Sequence, residues 1–228
     1  MEITTSFKQL KTYCEKEQFK GWDPYDGLNS KVFNAIPFLN KSSFIRMVVI
    51  QGFKKLSINL RKFALVPKKH NAKGLGLLLS GYCNLYETVK LKPEFAKDFG
   101  TLQEIEKQIN ELADLLISMQ SKRYSGACWG YTFDWQSKAF FLPIHTPTVV
   151  ATSFVVEALL SAYEITKNEN YLNTALSSAN FILKDLNFTH RYCYNRFRYL
   201  HIVYLFTGFL EGGNIHIIQE SMEDQKFN

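Results

Sequence analysis

An all-α fold, built as an array of α/α hairpins of the toroid type, is what this sequence predicts, and three stretches predict it. In the first, Thr101 and Glu104 have capping-box spacing, and Ile105, Ile109, Leu112, Leu115, Leu116 and Met119 form one apolar stripe. The second, residues 149–166, is apolar nearly all round, the mark of a helix enclosed by other helices. In the third, residues 170–186, Tyr171, Leu172, Ala175, Leu176, Ala179, Ile182 and Leu183 share a face behind the short polar turn Lys167-Asn168-Glu169-Asn170. An enclosed inner helix, a tight turn and an amphipathic outer helix make the repeating unit of an α/α toroid or a helical solenoid.

The remaining elements follow in order. Residues 3–20 read as a helix with Phe7, Leu10, Cys14 and Phe19 inward, ended by Gly21. Pro24 and Gly27 make the next stretch a loop, and a short element spans 32–39. A serine at 42 or 43 caps a helix over 44–60, with Ile45, Val48, Val49, Phe53 and Leu56 at helical spacing. Residues 71–82 hold three glycines, but Lys73 precedes them and the phosphate-loop order is absent. They predict a helix whose small residues admit a close neighbour. Pro93 breaks the chain before Thr101. From Arg191 to Phe209 the pattern turns erratic and aromatic, so residues 1–187 are expected to form the hairpin domain and 188–228 an atypical tail, poorly ordered or frame-shifted.

A chain of 228 residues buries one sizeable core, or two small ones at most. Its 46% hydrophobic and 21% charged residues are ordinary for a soluble protein, while 15% aromatic, with 19 Phe and 12 Tyr, supplies stacking surface as well as core. No basic start leads into an apolar run, and the apolar runs fall short of the ~20 residues of a membrane span. A cytoplasmic protein with no membrane span is expected. Cys14, Cys83, Cys128 and Cys193 lie far apart without a C-x-x-C pair, which argues against zinc or a disulfide framework. No metal and no cofactor is expected.

Net charge is +6, and its distribution is one-signed: no acidic residue lies between Asp26 and Glu87. Lys31, Lys41, Arg46, Lys54, Lys55, Arg61, Lys62, Lys68, Lys69 and Lys73 fill that interval. Such a stretch reads either as an ordinary solvated face or as one that attracts acidic sugars, sugar phosphates or a membrane surface. Nucleic acid is not expected, because no recognition motif accompanies the charge.

Chemistry-bearing residues concentrate in two loops, expected to meet at one end of the helical scaffold around a carbohydrate-sized site. One is 128–136 with its continuation His145-Thr146-Pro147-Thr148; the other is 21–30. Asp134 is the candidate acid or base, Asp23 or Asp26 its supporting carboxylate, and His145 the proton carrier near neutral pH. Trp129, Tyr131, Trp135, Trp22 and Tyr25, with Asn29, are the candidate sugar-binding residues. Plainer roles stand beside these. Asp before Pro or Gly makes turns, Asp134 can cap one, and His145 before Thr-Pro can bond backbone. Tryptophan is also common in toroid walls. A Cys128–His145 nucleophile pair is outweighed by packing as the role of Cys128.

The runs Gly21-Trp22-Asp23-Pro24-Tyr25-Asp26-Gly27-Leu28-Asn29-Ser30, Gly74-Leu75-Gly76, Trp129-Gly130-Tyr131 with Phe133-Asp134-Trp135, and His145-Thr146-Pro147 resemble a group of poorly characterised bacterial and archaeal proteins found with polysaccharide-biosynthesis functions. That group looks like part of the α/α-toroid superfamily of six-hairpin glycosidases, sugar epimerases and terpenoid cyclases. The resemblance covers roughly residues 1–187 and brings no agreed catalytic residues. It implies further hairpins where the tail begins, hence an incomplete, truncated toroid of about four helix pairs by helix-length arithmetic. Unclosed hairpins leave apolar faces that allow a homo-oligomer.

The reading that follows is a carbohydrate-active protein acting on or binding an anionic polysaccharide or its precursor. The alternative is a non-catalytic helical scaffold, or an inactive fragment, of a polysaccharide assembly system. An isoprenoid-cyclase reading lacks the acidic D-x-D-D motif.

Overall fold

The computed structural model describes residues 3–56 and 58–186. The expected tail and Cys193 lie outside them. Among the described residues the chain is mostly helical, with eight α-helices and one two-stranded sheet.

Helix α1 (Ile3–Lys16) stops short of Gly21 because Gln18 and Phe19 take left-handed backbone conformations, φ 52° and 57°. Phe7 sets its inward face by meeting the edge of Phe99 at 5.1 Å, and Leu10, expected inside, is exposed. A short helix α2 (Lys31–Asn34) follows the first loop, its Ser30 side chain accepting from the Phe33 amide. Ser42 caps α3 (Ser43–Lys55) by accepting from Ile45 N. This helix ends five residues before the expected Leu60, and only Ile50 in it is buried; Val48 and Leu56, expected in the apolar stripe, are exposed.

The core is built by α4 (Ala72–Leu91), α6 (Leu102–Ser118), α7 (Val149–Thr166) and α8 (Glu169–Asn180), with short α5 (Ala96–Phe99) in the connection after Pro93. Helix α4 packs on α6 and α7, and α7 on α6 and α8. The glycines of α4 serve this packing: a Cβ at Gly76 would stand 2.9 Å from the Phe154 carbonyl oxygen of α7. In α6 the capping box is formed reciprocally by Thr101 and Glu104, and Ile105, Ile109, Leu112 and Leu116 are buried. Leu115 and Met119 flank that stripe half-buried.

Helix α7 has the expected bounds and the expected enclosure. Its two exposed residues are Glu157 and Glu164, two turns apart on one line. It is long and apolar enough to cross a membrane by length and composition, contrary to the count of apolar runs. In the fold it is instead the inner helix against which three others pack. Lys167, left-handed at φ 55°, closes the α7–α8 turn, and α8 runs into a π-helical turn at Phe181–Asp185.

Candidate functional site

The two loops meet at the N-terminal end of α4, and local hydrogen bonding explains how each holds its shape. In the first, Asp23 and Asp26 build a turn. The Asp26 carboxylate accepts from Asp23 N at 3.0 Å, and the Asp23 carboxylate accepts from Tyr25 N at 2.9 Å. The loop is fixed to the chain entering α4: Gly21 and Lys69 exchange both backbone bonds at 3.0 Å, and Trp22 Nε1 donates to the Val66 carbonyl at 2.9 Å.

The second loop folds back on itself as a short ladder. His145 N donates to Tyr131 O at 2.8 Å and Thr148 N to Trp129 O at 3.0 Å. Between them Gly130 lies against the Thr146 carbonyl, where a Cβ would collide, so glycine is required there. Strands β1 (Trp135–Gln136) and β2 (Phe141–Leu142) continue the hairpin, which sequence periodicity did not signal because each has two residues.

Thr132 ties the loops together. Its carbonyl accepts from Asn29 Nδ2 at 3.0 Å and from Lys69 Nζ at 3.3 Å, and its hydroxyl donates to the His70 carbonyl at 2.7 Å. Tyr25 meets the edge of Trp135 at 6.4 Å. Two cavities result. One of about 160 Å³ is lined by Trp22, Asp23, Asn29, Lys69 and Asn71 among others. One of about 370 Å³ is lined by Asp23, Tyr25, Lys73, Tyr131 and Trp135 among others. They adjoin, sharing Asp23, Asn71, Gly74 and Phe133. The larger falls within the range of about 300–1,000 Å³ usual for small-molecule clefts.

Asp23 therefore stands between the cavities. Its second oxygen accepts from Asn71 Nδ2 at 2.8 Å, while Asn71 Oδ1 caps α4 by accepting from Gly74 N. Burial raises the Asp23 pKa above the ordinary aspartate value, opposed by these hydrogen bonds and by Arg61 and Lys73. Two of the roughly four acceptor positions of a carboxylate are used by the protein, leaving capacity for a ligand hydroxyl. Asp26 is differently employed: it is buried, and Arg61 Nε donates to it at 2.8 Å while Arg61 Nη2 holds the Asp23 carbonyl at 3.0 Å. Burial raises its pKa as well, with Arg61 opposing.

Of the residues singled out from sequence, Trp22, Asp23, Tyr25, Asp26, Asn29, Tyr131 and Trp135 line these cavities. Three do not. Trp129 is a correction: it has no exposed surface, and its Nε1 donates to the Leu116 carbonyl at 2.7 Å inside the helical core, so its ring cannot stack on a ligand. Asp134 accepts from Ile144 N at 2.6 Å across the hairpin, the work of a turn-former. His145 is exposed with φ 63°, placed by backbone bonds at the turn and outside both cavities. Cys128 is buried, its thiol pushed up to about 12 by burial and the Asp185 charge, which suits packing and not nucleophilic attack.

Sequence reasoning missed the parts played by Asn71 and Arg61. An Asn three residues before Gly74, at the head of an apolar helix, is a recognisable cap. Arg61 had a weaker signal, since a carboxylate buried in a wholly basic interval needs one of the cations as partner. Among the described residues no cluster of His, Cys, Asp or Glu is placed to hold a metal ion. Compared with protein-family models, curated proteins and solved structures, the chain matches none.

Proposed function

We propose that the paired cavities bind an acidic carbohydrate, a segment of an anionic polysaccharide or its precursor, on an incomplete α/α-toroid scaffold serving polysaccharide biosynthesis in the cytoplasm. The observation that carries this reading is the position of Asp23, a carboxylate shared by both cavities and flanked by aromatic rings and lysines. Tyr25, Tyr131 and Trp135 offer ring faces and edges to the apolar side of a sugar. Asp23 and Asn71 address its hydroxyls, and Lys69 and Lys73 its carboxylate or phosphate. Of the two aspartates whose pKa burial raises, Asp23 is the one not paired with Arg61, and so the one placed to exchange a proton with a bound sugar.

A second reading, a non-catalytic binding module, is favoured by a specific feature. Asp26 is engaged by Arg61 and Asp134 by Ile144 N, so neither of these candidate carboxylates is free to act with Asp23 as glycoside chemistry requires.

Thermal unfolding with acidic and neutral oligosaccharides tests the site, because a ligand of the folded state raises the midpoint by mass action. An upward shift with acidic sugars that Asp23→Asn and Trp135→Ala abolish is expected; no shift with any sugar overturns the proposal. Product analysis of a sugar that binds then separates enzyme from module. The same variant carries a pH signature. Folding raises the Asp23 pKa, so the folded state holds that proton more tightly, and stability falls as pH rises from the unfolded value of 3.8 towards the folded one. Asp23→Asn flattens that slope, leaving the part due to Asp26.

A further inference from the structure

Residues 31–65 form a surface unlike the rest of the described chain. They hold ten of its seventeen exposed large hydrophobic residues, among them Phe38, Phe44, Val48, Ile58 and Phe63, the last 80% exposed. The same segment exposes Lys31, Lys41, Lys54, Lys55 and Lys62 and contains no acidic residue. These elements adjoin one another. Helix α2 and helix α3 both pack on the turn at 39–41, and Lys31 N donates to the Leu65 carbonyl. On α3, Phe44, Val48, Gln51 and Lys55 recur every three to four residues, so one line of the helix runs from aromatic to cationic. Met47, Val48, Gln51, Gly52, Lys55 and Leu56 line a shallow open depression along it.

We propose that this segment forms a docking surface for an anionic lipid bilayer, lying on it without spanning it. Apolar side chains rimmed by lysines are what an interfacial site presents: the rings enter the headgroup–acyl boundary and the ammonium groups meet lipid phosphates and carboxylates. Charge selects this occupant over a second copy of the chain. A two-fold pairing brings the same patch against itself and sets five exposed lysines of each copy together. Glu17, the carboxylate whose field reaches Lys62, is already paired with Lys68 at 2.7 Å and does not neutralise the surface. Lys54 joins this surface to the sugar site, its Nζ donating to Tyr25 Oη at 2.8 Å. Phe44, Lys55, Lys62 and Phe63 line neither cavity around Asp23, so changes there test this surface apart from the sugar site.

Co-sedimentation of the full chain with vesicles tests the proposal, using phosphatidylcholine alone and phosphatidylcholine with about a third phosphatidylserine. Binding to the anionic vesicles, lost in high salt and weak on the neutral ones, is expected. Each lysine near an anionic membrane contributes about a factor of five, so Lys55→Gln with Lys62→Gln lowers the partition coefficient roughly thirtyfold. Phe44→Ser with Phe63→Ser also lowers it, and both pairs retain the far-ultraviolet dichroism of the parent. Equal binding to both vesicle types, no binding to either, or a stable dimer that masks Phe44 from solvent overturns it; in the last case the surface is a protein interface.

Discussion

Helices α3 and α7 both carry large apolar residues on more than one face, α7 the more of them, and meet opposite fates. In α7 the exposed positions are two glutamates, and in α3 the one buried position is Ile50. The difference lies in what each meets. Helix α7 has α4, α6 and α8 against it, whereas α3 lies on the first loop, the 39–41 turn and a two-residue strand. Partners of that size cannot cover a helix, and the residues left over become surface. An apolar side chain is thus committed to the core only when enough neighbouring structure reaches it.

Truncating Trp129 probes the covered half hardest. Trp129→Ala removes the largest fully buried side chain and one of the two donors to the Leu116 carbonyl, which keeps Met119 N at 3.1 Å, so a loss of about 3–5 kcal/mol in chemical denaturation is expected. A loss below about 1 kcal/mol breaks the contrast, since it places that ring outside the packed core. Arg61→Met probes the seam between the halves, where it leaves Asp26 buried without its cation. Breaking a buried pair from one side destabilises by about 3 kcal/mol, and Asp26→Asn in the same chain restores a large part. If the double variant is no better than the single, Arg61 acts through packing and not through charge. The smallest effect belongs to α3, where Val48→Ser changes stability by less than about 0.5 kcal/mol. A larger loss means that the α3 face is covered after all.

The periodicity of 105–116, the capping box at Thr101 and Glu104, and the enclosed helix 149–166 are legible in the sequence, because each depends on residues within one or two turns. The cluster of aromatics and carboxylates in two loops is legible too, since such side chains are seldom placed in turns without use. The roles inside the cluster are not. Trp129 and Trp135 sit six residues apart in one loop, yet one is enclosed by the core and the other lines a cavity. Asp23 and Asp26 share a turn, yet one faces two cavities and the other is taken by Arg61.

Local sequence by itself determined the helical class, the caps, the α7–α8 hairpin and the one-signed charge from Lys31 to Lys73. Tertiary structure alone decided which aromatic is wall and which is platform, which carboxylate is neutralised, and which apolar face stays open. The reason is range: a cap or stripe is settled by bonds a few residues long, whereas burial and charge pairing depend on side chains such as Arg61 and Asp26, 35 positions apart, that only folding brings together.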